Sequence, residues 1–165
     1  MHNLASPCVP LAILYCMLLG LSSTNSVKIQ EPIMQENTKQ VYVVDDDEIF
    51  HFILKKMLEQ QTDNLEITSF LCAEDALAQL QDQPQYSLPS LIILDMNMQR
   101  MNGWDFIEAY KTIKPSLNQH IPIIMCSSSM DMRDMQKVQR TPELMAYITK
   151  PLDPMKMKVI TDVLA

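Results

Sequence analysis

Residues 91–103 read LIILDMNMQRMNG. Leu91 to Leu94 run without a polar break and stop at Asp95. A short unbroken apolar run is what a strand covered on both faces looks like, because neither of its alternating sides meets water. The chain then turns around Gly103. Phe106, Ile107, Tyr110 and Ile113 follow at the spacing of one helix face, closed by Pro115. Strand, acid, turn and helix occur here in immediate succession.

The same unit recurs on either side. Upstream, Val41 to Val44 is a β-rich run ending in Asp45, Asp46 and Asp47. Ile49, Phe52, Ile53 and Met57 then predict a helix. Leu65 to Phe70 alternates as a second strand, and Ala73, Ala76, Leu77 and Leu80 mark a helix stopped near Pro84. Downstream, Ile121 to Cys126 reads as a fourth strand, its proline near the entry where a missing N–H is tolerated. A weaker helix spans roughly 130–139. Ala146 to Thr149 is a short fifth strand, and Met155, Val159, Ile160 and Val163 mark a last helix. Five strand–helix units in strict alternation predict an α/β domain with a parallel sheet covered on both faces. Ligands of such sheets sit outside the carboxyl ends of the strands.

Composition narrows the chemistry. The chain has 165 residues, 47% of them apolar, and a net charge of −7. That balance suits one globular domain and opposes direct, sequence-independent nucleic-acid binding, which needs clustered Lys and Arg. The two glycines, Gly20 and Gly103, lie far apart, which excludes the glycine-rich phosphate loops that need them close together. Cys8, Cys16, Cys72 and Cys126 form no C-x-x-C pair and read as buried reduced thiols of a cytoplasmic fold.

Residues 1–38 read as a leader and residues 39–165 as the domain. Val9 to Leu21 is an apolar run of 13 residues, short for a bilayer span and of signal-core length, without the preceding Lys or Arg of a signal peptide. Three readings stay open. Translation starts at Met34 and the leader is an artefact, or the leader is a membrane tether, or it is a cleaved export signal.

The strand ends carry the chemistry. Strand 1 ends in Asp45, Asp46 and Asp47, strand 3 in Asp95, strand 4 in Ser127, Ser128 and Ser129, and strand 5 in Lys150 and Pro151. Carboxylates packed together repel unless compensated. An oxygen-rich acidic cluster suits a hard cation, most naturally Mg²⁺, and a nearby lysine supplies a second positive charge. Such a set neutralises charge as a phosphoryl group passes between oxygens, and an Asp carboxylate can be the nucleophile.

VVDD (43–46), LDMNMQRMNG (94–103), PIIMCS (122–127) and YITKP (147–151) together resemble the receiver domain of response regulators, across Val41 to Ala165. The resemblance implies a flavodoxin-like (βα)5 three-layer sandwich with strand order 2-1-3-4-5. It implies Asp95 as phosphoacceptor, Asp45 and Asp46 as the metal-binding acids, and the backbone carbonyl of Asn97 as a further Mg²⁺ contact. Lys150 would contact the phosphoryl oxygens, followed by a cis bond to Pro151. Ser127 and Tyr147 would be the switch pair. It further implies a sensor histidine kinase or histidine phosphotransfer protein as donor, and a downstream protein as output partner.

Two positions depart from the family pattern. Gln99 stands where proline is usual, which predicts a more mobile loop. Asp47 and Glu48 extend the acid run and serve equally as favourable charges at the first turn of the helix. His51 is expected to be exposed or half-buried, with no relay role. Met130, Met132 and Met135 suggest either adaptable core filling or a malleable docking face. Two other functions compete with the phosphoryl-accepting signalling module, which is not a metabolic enzyme. One is a receiver-like scaffold that works without phosphorylation. The other is a haloacid-dehalogenase-type phosphatase, which wants an Asp where Asn97 stands.

Overall fold

A computed structural model describes residues 38–84, 87–128 and 131–165. Residues 1–37 of the leader lie outside the described residues, as do Ser129 and Met130.

Five strands and five helices alternate: β1 (Lys39–Val44), α1 (Glu48–Glu59), β2 (Leu65–Phe70), α2 (Ala73–Asp82), β3 (Leu91–Asp95), α3 (Gly103–Ile113), β4 (Ile123–Ser127), α4 (Met132–Gln139), β5 (Leu144–Thr149) and α5 (Pro154–Leu164). A 3₁₀ turn at Lys114–Ser116 follows α3. All strand pairs are parallel, in the order β2-β1-β3-β4-β5. The chain therefore reverses its direction of sheet growth after β2, and the ends of β1 and β3 lie side by side.

The period-2 alternation of the strands divides the core into two layers. Tyr42, Val44, Ile92, Leu94, Ile123 and Met125 face α2 and α3, where Ala76, Leu80, Phe106 and Tyr110 meet them. Val41, Val43, Leu91, Ile93, Ile124 and Cys126 face α1 and α5, where Leu54, Leu58, Met157 and Ile160 meet them. The central strands are buried throughout because both of their faces are used. No described side chain of α4 belongs to either layer.

Helices α1 and α5 form where expected but bury stripes other than the residues that marked them, and one expectation, on Cys72, needs correction. In α1 the buried face is Phe50, His51, Leu54 and Leu58. Ile49, Phe52 and Ile53 point outward, at 70%, 65% and 48% exposure. The helix carries two apolar stripes, and periodicity alone cannot say which one meets the sheet. In α5 the same holds: Met157, Ile160 and Leu164 are buried while Met155 and Val159 are exposed. Cys126 is buried as expected, but Cys72 is only half-buried, at the N-cap of α2.

Boundaries shift less. Strand β4 begins at Ile123, after Pro122, and β5 begins at Leu144, where Leu144 pairs with Ile123 across an irregular register. Among the described residues, no helix is long and apolar enough to cross a membrane.

Candidate phosphoryl-transfer site

The carboxyl ends of β1, β3 and β5 converge on three acids and a lysine. Carboxylate oxygens of Asp45, Asp46 and Asp95 lie within 4.8 Å of one another. Asp45 and Asp95 are buried and Asp46 is exposed, so the cluster opens to solvent on one side. Lys150 Nζ bridges the two buried acids, 2.6 Å from Asp45 Oδ2 and 2.7 Å from Asp95 Oδ1. The same ammonium lies 4.1 Å from the centre of the Phe50 ring, a cation–π contact in a desolvated place.

These charges tune one another. Burial pushes the Asp45 carboxyl up from its ordinary range, with Asp95 adding to the rise. The Lys150 ammonium and the Asp47 N–H oppose it without cancelling it. For Lys150, burial alone would lower the pKa, but its bonds to Asp45 and Asp95 outweigh burial and hold it above the ordinary lysine value. The lysine is a fixed cation over the whole physiological range.

Local structure places each acid. Asp47, not Asp45 or Asp46, caps α1: its side chain accepts the Ile49 N–H at 2.9 Å. The Asp47 N–H in turn donates to Asp45 Oδ1 at 3.0 Å. This leaves one acid of the run to start the helix and two to face the site. Asp95 Oδ2 accepts the Asn97 N–H at 2.7 Å. Asn102 closes the loop with a capping box, accepting from the Trp104 and Asp105 N–H groups while Asp105 accepts the Asn102 N–H.

Gln99 donates its N–H to Asp46 Oδ2 at 3.3 Å, a bond that proline cannot make. The departure from the family pattern thus gives the loop after β3 a tie to the end of β1.

Ser127 is fully buried at the end of β4, and its carbonyl accepts the Lys150 N–H at 2.7 Å. Tyr147 is half-buried and packs against the α2–α3 layer of the core. The Lys150–Pro151 bond is cis.

Two supporting residues were misjudged from sequence: Phe50 was not singled out, and His51, expected exposed or half-buried, proves buried. His51 is buried, and its Nε2 lies 2.7 Å from the Asp45 carbonyl. A carbonyl only accepts, so Nε2 carries the proton and the ring holds the backbone at the end of β1. Phe50 supports Lys150 from the same turn of α1. The signal for both was the second stripe of that helix, Phe50, Leu54 and Leu58.

Buried and exposed carboxylates at this spacing supply the all-oxygen donor set that a hard divalent cation takes. Lys150 is already paired to the two buried acids, Asp45 and Asp95, which leaves the exposed Asp46 on the solvent side.

Comparison with known proteins agrees with this geometry. Residues 41–162 match the response regulator receiver domain family. The chain is 34% identical over 127 residues to the chemotaxis protein CheY of Halobacterium salinarum, covering 76% of this chain and 97% of that one. It is 37% identical over 89 residues to protein-glutamate methylesterase/protein-glutamine glutaminase 3 of Shewanella oneidensis, covering 54% of this chain but only 22% of that longer protein. Among solved structures, a two component response regulator from Cytophaga hutchinsonii superposes with a TM-score of 0.67 at 28% identity, covering 77% of this chain and 97% of its own. A family match over most of the described chain, and a CheY relative aligned nearly end to end, place this chain in the response regulator receiver family.

Proposed function

We propose that Asp95 is the residue of this receiver that accepts the phosphoryl group. The observation that carries the reading is the pairing of Asp95 Oδ1 with Lys150 at 2.7 Å inside an acidic cluster open on one side. The donor is a phosphohistidine on a sensor histidine kinase or histidine phosphotransfer protein. An Asp95 oxygen forms the new O–P bond as the N–P bond breaks, and the imidazole leaves with a proton. Asp45, Asp46 and Asp95, with the Asn97 carbonyl, would hold Mg²⁺. When bound, that ion neutralises charge on the transferring group. Lys150 contacts the phosphoryl oxygens.

The output is a population shift. Ser127 turns its hydroxyl toward the phosphoryl group and Tyr147 rotates inward, which favours a second state of the α4–β5–α5 surface. A downstream protein reads that surface, whose described methionines include the exposed Met135, Met145 and Met155. The outward stripe of α1, with Ile49, Phe52 and Ile53 following the acid cluster in sequence, offers the donor an apolar footing. In this reading the receiver occupies residues 39–165, works in the cytoplasm, and is a signalling module rather than a metabolic enzyme.

The test is direct. The protein is incubated with Mg²⁺ and acetyl phosphate and its intact mass is measured. One added phosphoryl mass in the parent, absent in Asp95→Ala, is the expected outcome. No added mass in the parent supports the phosphorylation-independent scaffold instead, and rapid turnover of many phosphate esters supports the phosphatase.

A further inference from the structure

Helices α2 and α3 pack side by side, yet between them runs a groove that the acid site does not use. Glu74, Leu77 and Ala78 line it from α2, Ala109 and Ile113 from α3, and Met101 from the β3–α3 loop. Its origin is in the sequence. Positions 74, 77, 78 and 81 form one stripe of α2, and 109, 112 and 113 face them from α3. Ala78 and Ala109 are too short to fill the space between two helix axes, and a groove of about 270 Å³ is left.

The groove is apolar apart from Glu74, Gln81 and Thr112, and its one charge is Glu74, in the first turn of α2. The Oε2 atom of Glu74 is buried without a hydrogen-bond partner. Among the described residues, no ion pair reaches Glu74 and no Lys, Arg or His lines the groove. Glu74 as a whole is half-buried, so a cation lying in the groove can reach its carboxylate and form a charge-assisted bond. The volume falls just short of the usual range for small-molecule sites, about 300–1,000 Å³, and the groove is open to solvent. It is the size for one or two side chains of a polypeptide, not for an enclosed metabolite.

We propose that the α2–α3 groove is a docking site for a partner-protein segment that presents a lysine or arginine between apolar side chains. The cation pairs with Glu74, and the apolar neighbours lie over Leu77, Ala78, Ala109 and Ile113. Nothing in this inference depends on phosphorylation of Asp95.

Displayed random heptapeptides are selected on the full-length protein without any phosphodonor, so failure here leaves the reading of Asp95 untouched. The enriched sequences should carry a basic residue flanked by apolar ones. A synthetic peptide of that sequence should bind the parent and lose about tenfold in affinity on Glu74→Gln, as loss of a charge-assisted bond predicts. Ala109→Leu, which fills the groove, should abolish binding while circular dichroism stays that of the parent. Glu74→Gln leaves the groove's shape intact and decides the matter alone where the filled variant does not fold. Failure to enrich any peptide, enrichment of peptides without a basic residue, or equal binding to the parent and to Glu74→Gln would each overturn the proposal.

Discussion

At Gly103 a side chain of any kind would collide with backbone. A Cβ there would lie 2.7 Å from the Asp95 carbonyl oxygen and 3.0 Å from the Met96 Cα. The Gly103 N–H also donates to the Met96 carbonyl at 3.0 Å, so the start of α3 is pressed against the end of β3. The need is for close approach, not for an unusual φ. Gly103→Ala should cost about 1–3 kcal/mol of stability, the usual penalty of overpacking, read as a lowered urea midpoint at unchanged slope. Lys150 makes the opposite case, where a side chain must be present. Lys150→Met leaves Asp45 and Asp95 buried without their shared cation and should destabilise the protein by about 3 kcal/mol at neutral pH. The sign follows from Asp45, whose carboxyl burial already pushes up. A folded pKa above the unfolded one destabilises while the group is charged, and the penalty fades as pH falls through the folded value. The gap between parent and variant should therefore narrow toward acid, measured by denaturant titrations across the carboxylate range.

Among the described elements, α4 is held least. No described side chain of α4 is buried, and two of them reach Trp104, whose Nε1 donates to Asp134 Oδ1 at 3.3 Å while Lys137 Nζ lies 4.1 Å over its ring. Amide hydrogens of α4 should exchange well ahead of those of α3, which buries Phe106, Ile107 and Tyr110. Exchange in α4 as slow as in α3 would contradict that picture. Sequence reading reached the elements unevenly, and the reasons are physical. Strands β1, β3 and β4 were legible because burial on both faces leaves only apolar residues to choose from. Helix α3 was legible because its single stripe has one possible inner face. Helix α1 was legible as a helix but its inner face was not, since Ile49, Phe52 and Ile53 satisfy the same period as Phe50, Leu54 and Leu58. The four strand-end motifs foretold the meeting of Asp45, Asp46, Asp95 and Lys150, because parallel strands bring all their ends to one edge. His51 was missed because its contact is with a carbonyl, and a carbonyl leaves no trace in the sequence.

At the scale of the whole molecule, the acid cluster lies at the edge of the two core layers and joins one of them where Phe50 supports Lys150. Each layer is closed by apolar contacts between sheet and helices, and the cluster sits at the strand ends. The Lys150 ammonium already spans the two buried carboxylates there. A lysine supplied by the chain itself thus serves as a resident counterion, and a divalent ion arriving later would be an addition to a finished fold rather than a strut within it. Chelation should leave the far-ultraviolet circular dichroism and the melting midpoint near those of untreated protein. Any loss of phosphoryl transfer under the same treatment can then be read as a failure of chemistry and not of architecture. For an experimenter, that separation turns a chelator into a clean switch.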